Sequence, residues 1–232
     1  MSLLTVCQNV ASEVGTYGAP TSVISNTSDD VVKLLALANR TGREIMGAHD
    51  WQRLQTETTI TTVDTTEGYD LLSDYDRVIN NTMWDNTNNR QMKLVTPQQW
   101  AYFKNGIVAQ SGIQRWWRQR GNQILIYPTP SNTNTIKYEY ISNKYVVNSA
   151  GDTTYATFQA DTDTTLFPEN LLELGMIYRQ KKQIGLAAAD DKNTYEMELR
   201  SEIARDGGNA IIAPYYPHYP YVNIQDSNFP SS

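Results

Sequence analysis

Residues 29–63 read DDVVKLLALANRTGREIMGAHDWQRLQTETTITTV, and the spacing of apolar residues changes within that stretch. Leu34, Leu37, Ala38, Thr41, Ile45 and Ala48 recur at three- and four-residue intervals and fall on one helical stripe. After Leu54 the period becomes two, in a Thr-rich run carrying Ile60 and Val63, which reads as a strand. The helix is expected from Asp29 to about Leu54. Asn26-Thr-Ser-Asp-Asp30 offers capping side chains and first-turn negative charge to the free amides at its start. Gly42 and Gly47 are its weak points.

Working outward, residues 2–14 read as a short amphipathic helix on Leu3, Val6, Val10 and Val14, stopped by Gly15, Gly18 and Pro20. Downstream, Gly68-Tyr-Asp-Leu-Leu-Ser-Asp-Tyr-Asp-Arg77 is an extended piece leading to a turn, residues 78–84 a second strand, and residues 85–90 a turn. Thr96-Pro97-Gln98-Gln99 starts a short helix: a hydroxyl cap, proline at the first helical position, and Gln three residues after the cap. Residues 116–120 and 123–127 flank Gly121-Asn122 as a type II′ hairpin. Residues 136–140 alternate apolar and polar, so they should be half buried, and residues 148–165 read as a loop with a short strand.

Helix returns at Pro168, with Leu171, Leu174, Tyr178 and Lys181 in one line, broadened by Met176, Ile177 and Ile184. Gly185 stops it, and a further helix from about Ala187 buries Tyr195, Leu199 and Ile203, with Glu196 and Arg200 as an i,i+4 pair. The two make an antiparallel hairpin. Residues 209–232 place Pro214, Pro217 and Pro220 at three-residue spacing, the period of polyproline II. The fold class that results is α+β. A bundle of N- and C-terminal helices (1–55 and 166–207) carries an inserted antiparallel β region with one short helix (56–165), and an extended Tyr/Pro-rich tail follows (208–232).

Composition excludes several functions. Net charge is −6, so there is no broad basic footprint for nucleic acid. One cysteine and two histidines, His49 and His218, argue against a disulfide framework or a metal site, and no cofactor is expected. The longest strictly apolar run, residues 34–38, is far short of a membrane span, and the N-terminus has no basic leader region. A protein made inside the cell is expected. The 25 Thr and 19 Asn favour strands and turns with an uncharged surface.

Candidate chemistry is sparse. Asp29/Asp30, Asp74/Asp76, Asp161/Asp163 and Asp190/Asp191 are the carboxylate pairs that a glycan hydrolase could use, but helix starts and turns explain them better. His49-Asp50 is no dyad, because adjacent helical residues point about 100° apart. Arg115-Trp-Trp-Arg-Gln-Arg120 interleaves bases and aromatics, which suits stacking on nucleic acid. One inward Trp and Arg stems along a hairpin surface explain it as well. The tail is explained least by a disordered terminus, because rigid Tyr/Pro segments suit docking on a partner.

With these residues in view the chain resembles the head-to-tail adaptor proteins (connectors, tail accessory factors) of tailed, especially short-tailed, bacteriophages. The resemblance spans roughly residues 3–207. It rests on Leu4-Thr-Val-Cys-Gln-Asn-Val-Ala-Ser-Glu-Val14, Leu35-Ala-Leu-Ala-Asn-Arg40, His49-Asp-Trp-Gln-Arg-Leu54, residues 68–77, Trp84-Asp85 and Thr96-Pro-Gln-Gln-Trp100. The strands at 120–127 and 136–140 and the helices at 173–185 and 195–207 continue it. The resemblance implies a virion protein without catalytic residues, in a ring of usually twelve copies beneath the portal protein. The next tail or nozzle protein would sit below it, and DNA would pass through without specific binding; no membrane is involved. Pro214, Tyr215, Tyr216, Pro217, Tyr219, Pro220 and Tyr221 are the expected portal-binding residues. A virion-borne peptidoglycan hydrolase and a tail tube or nozzle subunit are the alternatives.

Overall fold

The computed structural model describes residues 1–15, 18–105 and 115–207. Helix α1 (Leu3–Val14) starts on Ser2, whose hydroxyl accepts a hydrogen bond from the Thr5 amide, and buries the expected stripe together with Cys7 and Ala11. Helix α2 (Asp29–Ala48) buries Val31, Leu34, Leu37, Ala38, Thr41 and Ile45. It ends six residues short of the expected Leu54, because tertiary partners take its last carbonyls. The Trp51 indole Nε1–H donates to Ile45 O at 2.8 Å, and Arg77 Nη2 donates to His49 O at 2.8 Å. These acceptors, left open at a helix end, would otherwise be orphaned. His49 is already extended (φ −152, ψ 157), and Gln52–Leu54 form a single 3-10 turn.

Strand β1 (Gln55–Thr61) follows, then β2 (Gly68–Asp70), β3 (Tyr75–Val78), β4 (Trp84–Asp85), β5 (Arg90–Gln91) and β6 (Lys93–Leu94). The single strand expected over 78–84 is two, separated by a turn in which Asn81 takes φ +65 and Met83 is fully buried. Helix α3 (Pro97–Asn105) has the expected reciprocal cap: Gln99 N donates to Thr96 Oγ1 and Thr96 N to Gln99 Oε1. Strands β7 (Trp116–Arg120) and β8 (Gln123–Tyr127) form the expected hairpin, in register from Trp116↔Tyr127 to Arg120↔Gln123, with Gly121 at φ +59 as the first position of a II′ turn demands. Strand β9 (Thr135–Ser142) buries alternate residues as far as Tyr140 and then buries Ile141 and Ser142 as well. Short strands β10 (Val146–Val147), β11 (Thr154–Tyr155) and β12 (Thr164–Thr165) complete the set. One sheet has the order β1-β9-β4-β5 with β3 also on β9, a second β2-β8-β7-β6, and a third β11-β10-β12. The β region is not purely antiparallel: β6 runs parallel to β7, Lys93 opposite Trp116.

Helix α4 (Glu169–Gln183) packs against both α1 and α2, and α5 (Ala189–Asp206) packs against α4. The bonds Gly185 N to Lys182 O and Leu186 N to Lys181 O close α4 in a Schellman arrangement. The inward face of α4 is rotated from the expected line. Leu171, Leu172, Gly175, Met176 and Gln180 are buried, while Leu174 and Tyr178 are only partly so. The expected Glu196–Arg200 pair is replaced by Lys192–Glu196 at 3.3 Å. Two main cores result. One joins α1, α2 and α4 with Ile141, Tyr145, Val146, Phe158 and Phe167; the other joins Ile60, Met83, Trp117, Ile126, Ile136, Tyr138 and Tyr140. The class is α+β. The tail of residues 209–232 lies outside the described residues.

Candidate functional site

Each carboxylate pair flagged in the sequence is engaged in the fold. Asp161 Oδ1 accepts from the amides of Val23 and Ile24 at 3.0 and 2.8 Å. Asp163, almost fully buried, accepts from the amides of Gln159 and Ala160 at 2.7 and 2.8 Å. The backbone carbonyls of Asp161 and Asp163 receive Leu4 N and Leu3 N respectively, so this loop seats the start of α1. Asp74 accepts the hydroxyls of Tyr140 and Ser142, and Asp76 pairs with Arg77. Asp29 and Asp30 lie in the first turn of α2, and Asp191 in that of α5 pairs with Lys181 at 2.8 Å. They do the work of helix starts, turns and ion pairs. Among the described residues no group of three or more His, Cys, Asp or Glu is placed to hold a metal ion, and no helix is long and apolar enough to cross a membrane.

His49 and Asp50 diverge, as adjacent residues should. His49 Nε2 lies 3.2 Å from Asp206 Oδ2, and Asp50 pairs with Arg77 at 2.7 Å. Trp117 packs inward, whereas Arg118 is half-buried and Arg120 exposed. Arg115 is not a surface stem. It turns in to Asp85, 3.2 Å from Nε to Oδ2, with the Asp85 side chain only 1 % exposed. Asn88 also donates to Asp85 from its amide and side chain, at 3.0 and 2.8 Å. Nothing in the residue spacing marks this pair, because its partners are thirty positions apart and meet only through β7 and β4.

The most informative place is the root of the tail. Asp206, the last residue of α5, accepts the Gln52 amide on Oδ2 at 2.9 Å, and its backbone carbonyl accepts the Gln52 side chain. Together with His49 these bonds fix the end of α5 beside the start of β1. A groove of about 420 Å³ flanks that point, lined by Trp51, Arg53, Leu166, Phe167, Pro168, Glu202 and Arg205. No local pattern marks this junction, since Gln52 and Asp206 are 154 positions apart. The seven expected portal-binding residues, Pro214 to Tyr221, lie outside the described residues.

Titration follows packing. Burial pushes the Cys7 thiol up to about 12, with Asp161 adding to it. Burial also raises the hydroxyls of Tyr138, Tyr140 and Tyr145 to about 12, helped at Tyr140 by the neighbouring Asp74 carboxylate. None of these groups is poised near neutral pH, where acid–base chemistry works best.

The family model described as SU10 adaptor protein matches residues 1–214. The chain belongs to the SU10 adaptor protein family. As a member of that family it is a structural phage adaptor and a virion component. Most of the tail, residues 215–232, lies beyond the stretch that this SU10 adaptor model covers. A search of curated proteins returns no match.

Proposed function

We propose that this adaptor joins the portal of a phage head to the tail as a ring of copies, twelve in the arrangement that the family resemblance implies. The ring extends the DNA channel and helps retain packaged DNA, and carries the next tail or nozzle protein below it. The helical part forms the ring body, and Pro214, Tyr215, Tyr216, Pro217, Tyr219, Pro220 and Tyr221 contact the portal. Family membership over residues 1–214 is the observation that carries this reading. The charge supports it: at −6 per copy, twelve copies would carry −72, so DNA would slide through without adhering. Prolines limit the free ensemble of the tail and so reduce the ordering cost of docking.

The test mixes purified full-length chain with portal rings, and images and sizes the product. Several copies should sit on one end of each portal ring. A chain lacking residues 209–232 should melt within a few degrees of the full chain yet bind the portal rings more weakly. A much lower melting temperature would mean that the tail packs on its own body. Normal melting with undiminished binding would assign the joint to the ring body alone.

A further inference from the structure

The net charge of −6 is a sum over two unlike parts. Residues 86–138 hold seven Lys and Arg and no Asp or Glu, which leaves 12 basic against 25 acidic residues, net −13, in the rest of the chain. Carboxylates from outside the stretch answer three of the seven cations. Lys104 pairs with Glu67, Arg115 with Asp85 at 3.2 Å and Lys137 with Glu57 at 2.9 Å. Arg90, Lys93, Arg118 and Arg120 have no carboxylate partner among the described residues.

Three of these four lie on one face of the second sheet. Side chains alternate along β7, so Trp116, Arg118 and Arg120 face one way and the buried Trp117 the other. Lys93 of the edge strand β6 stands opposite Trp116 and shares its face. Lys93 and Arg120 are exposed and Arg118 is half-buried. Helix α3 covers part of the same face, with the Phe103 ring 4.8 Å from that of Trp116, and sets Lys104 Nζ 5.6 Å from the Tyr127 ring. Tyr102, next to Phe103 on the helix, is 64 % exposed. Cations and rings thus share one surface. Along β7 the row from Trp116 to Arg120 is about 13 Å long, at about 3.3 Å per residue.

We propose that this face contacts the phosphate backbone of DNA, without reading its sequence. Each strand of a duplex carries one negative charge per about 3.4 Å, so a row of about 13 Å spans about four phosphates. The Arg fork bonds phosphate oxygens two at a time, and neighbouring rings offer a surface for sugar and base. An acidic protein would have to present carboxylates in a matching row, whereas DNA presents its phosphates at every register. This inference rests on the reading that DNA passes each copy, and it gives retention a place. DNA is held at this band, and the net −13 of the remainder keeps the hold from spreading.

Fluorescence anisotropy of a labelled duplex of about 30 base pairs, titrated with the full-length chain at about 20 to 200 mM salt, tests it. Binding at low salt should weaken with a log–log slope of about −3, as three or four phosphate contacts require. Lys93→Glu with Arg120→Glu should cut the affinity at least about tenfold, since it reverses both exposed ends of the row. Lys33→Glu with Lys192→Glu makes the same change in net charge from exposed positions on α2 and α5, and should cost about threefold at most. Unchanged circular-dichroism melts check that both double variants fold. Equal losses in the two would reduce the effect to net charge and overturn the inference, as would no binding at the lowest salt. Loss of association between copies in the first variant, with DNA binding unmoved, gives the face to a neighbouring copy and also overturns it. Copies per portal ring are counted separately by native mass. Several copies per ring without DNA binding overturns the inference alone. DNA binding that follows the face while no ring forms overturns instead the assembly reading beneath it.

Discussion

Gly42 is on the buried face of α2 for want of room: a β-carbon there would lie 2.3 Å from Cε2 of Tyr145. Tyr145 cannot yield easily, since it is fully buried and its hydroxyl donates to Asn39 O at 3.1 Å. Alanine would gain about 1 kcal/mol in helix propensity, yet overpacking of this kind costs about 1–3 kcal/mol. Gly42→Ala should therefore lower the urea midpoint, and an unchanged or raised midpoint would show that the ring moves aside. The buried Asp85 makes a sharper case. Asp85→Ala removes the buried carboxylate that both Arg115 and Asn88 bind and should cost about 3–5 kcal/mol. Asp85→Asn should cost less, because the side-chain carbonyl still accepts from Asn88. Equilibrium denaturation of the two variants checks the order.

At the level of elements, local chemistry was legible and long-range chemistry was not. The Thr96–Gln99 cap and the Gly121-Asn122 turn are written in four neighbouring residues, and each forms as the residues dictate. The end of α2 is set by Trp51 and Arg77 folding back on its carbonyls, which no local pattern encodes. The rotation of α4 has a similar origin. Leu171 and Leu172 are adjacent, so apolar spacing alone could centre the stripe on either, and the crowding of α1 and α2 on one side decides it. The parallel pairing of β6 with β7 involves two residues and carries no periodic signal. Because α2 and α4 share a core, Ile45→Asp places a charge where no water or partner reaches. The helices should lose their cooperative melt in far-UV circular dichroism, and a soluble variant of unchanged melting temperature would refute that shared core.

For the molecule as a whole, the N- and C-terminal helical blocks, the β-rich middle and the family were readable from the sequence, because each is carried by many residues at once. The junction of the end of α5 with the turn before β1 was not, because the side chains of His49, Gln52 and Asp206 make it. Buried acids set the alkaline limit. Cys7, Tyr138, Tyr140 and Tyr145 hold their protons to about pH 12 when folded, but ionise from about 9 to 10 when unfolded. A raised native value means that the stability they contribute is complete below about pH 9 and is lost as pH rises towards 12. Melting temperature should fall across that window, and tyrosinate absorbance from these residues should appear together with unfolding. Ionisation of all the tyrosines near pH 10 in a folded protein would contradict their burial.

Strand β9 enters the β core with Ile136, Tyr138 and Tyr140 and leaves in the helical core with Ile141. A force that draws the two bodies apart therefore runs along the strand. The start of β1 at Gln55 lies opposite Ile141 and directly follows Leu54 of the same helical core, so both strands leave that core together and share the pull along their length. That geometry makes β1 and β9 the paired tie-rods between the two cores.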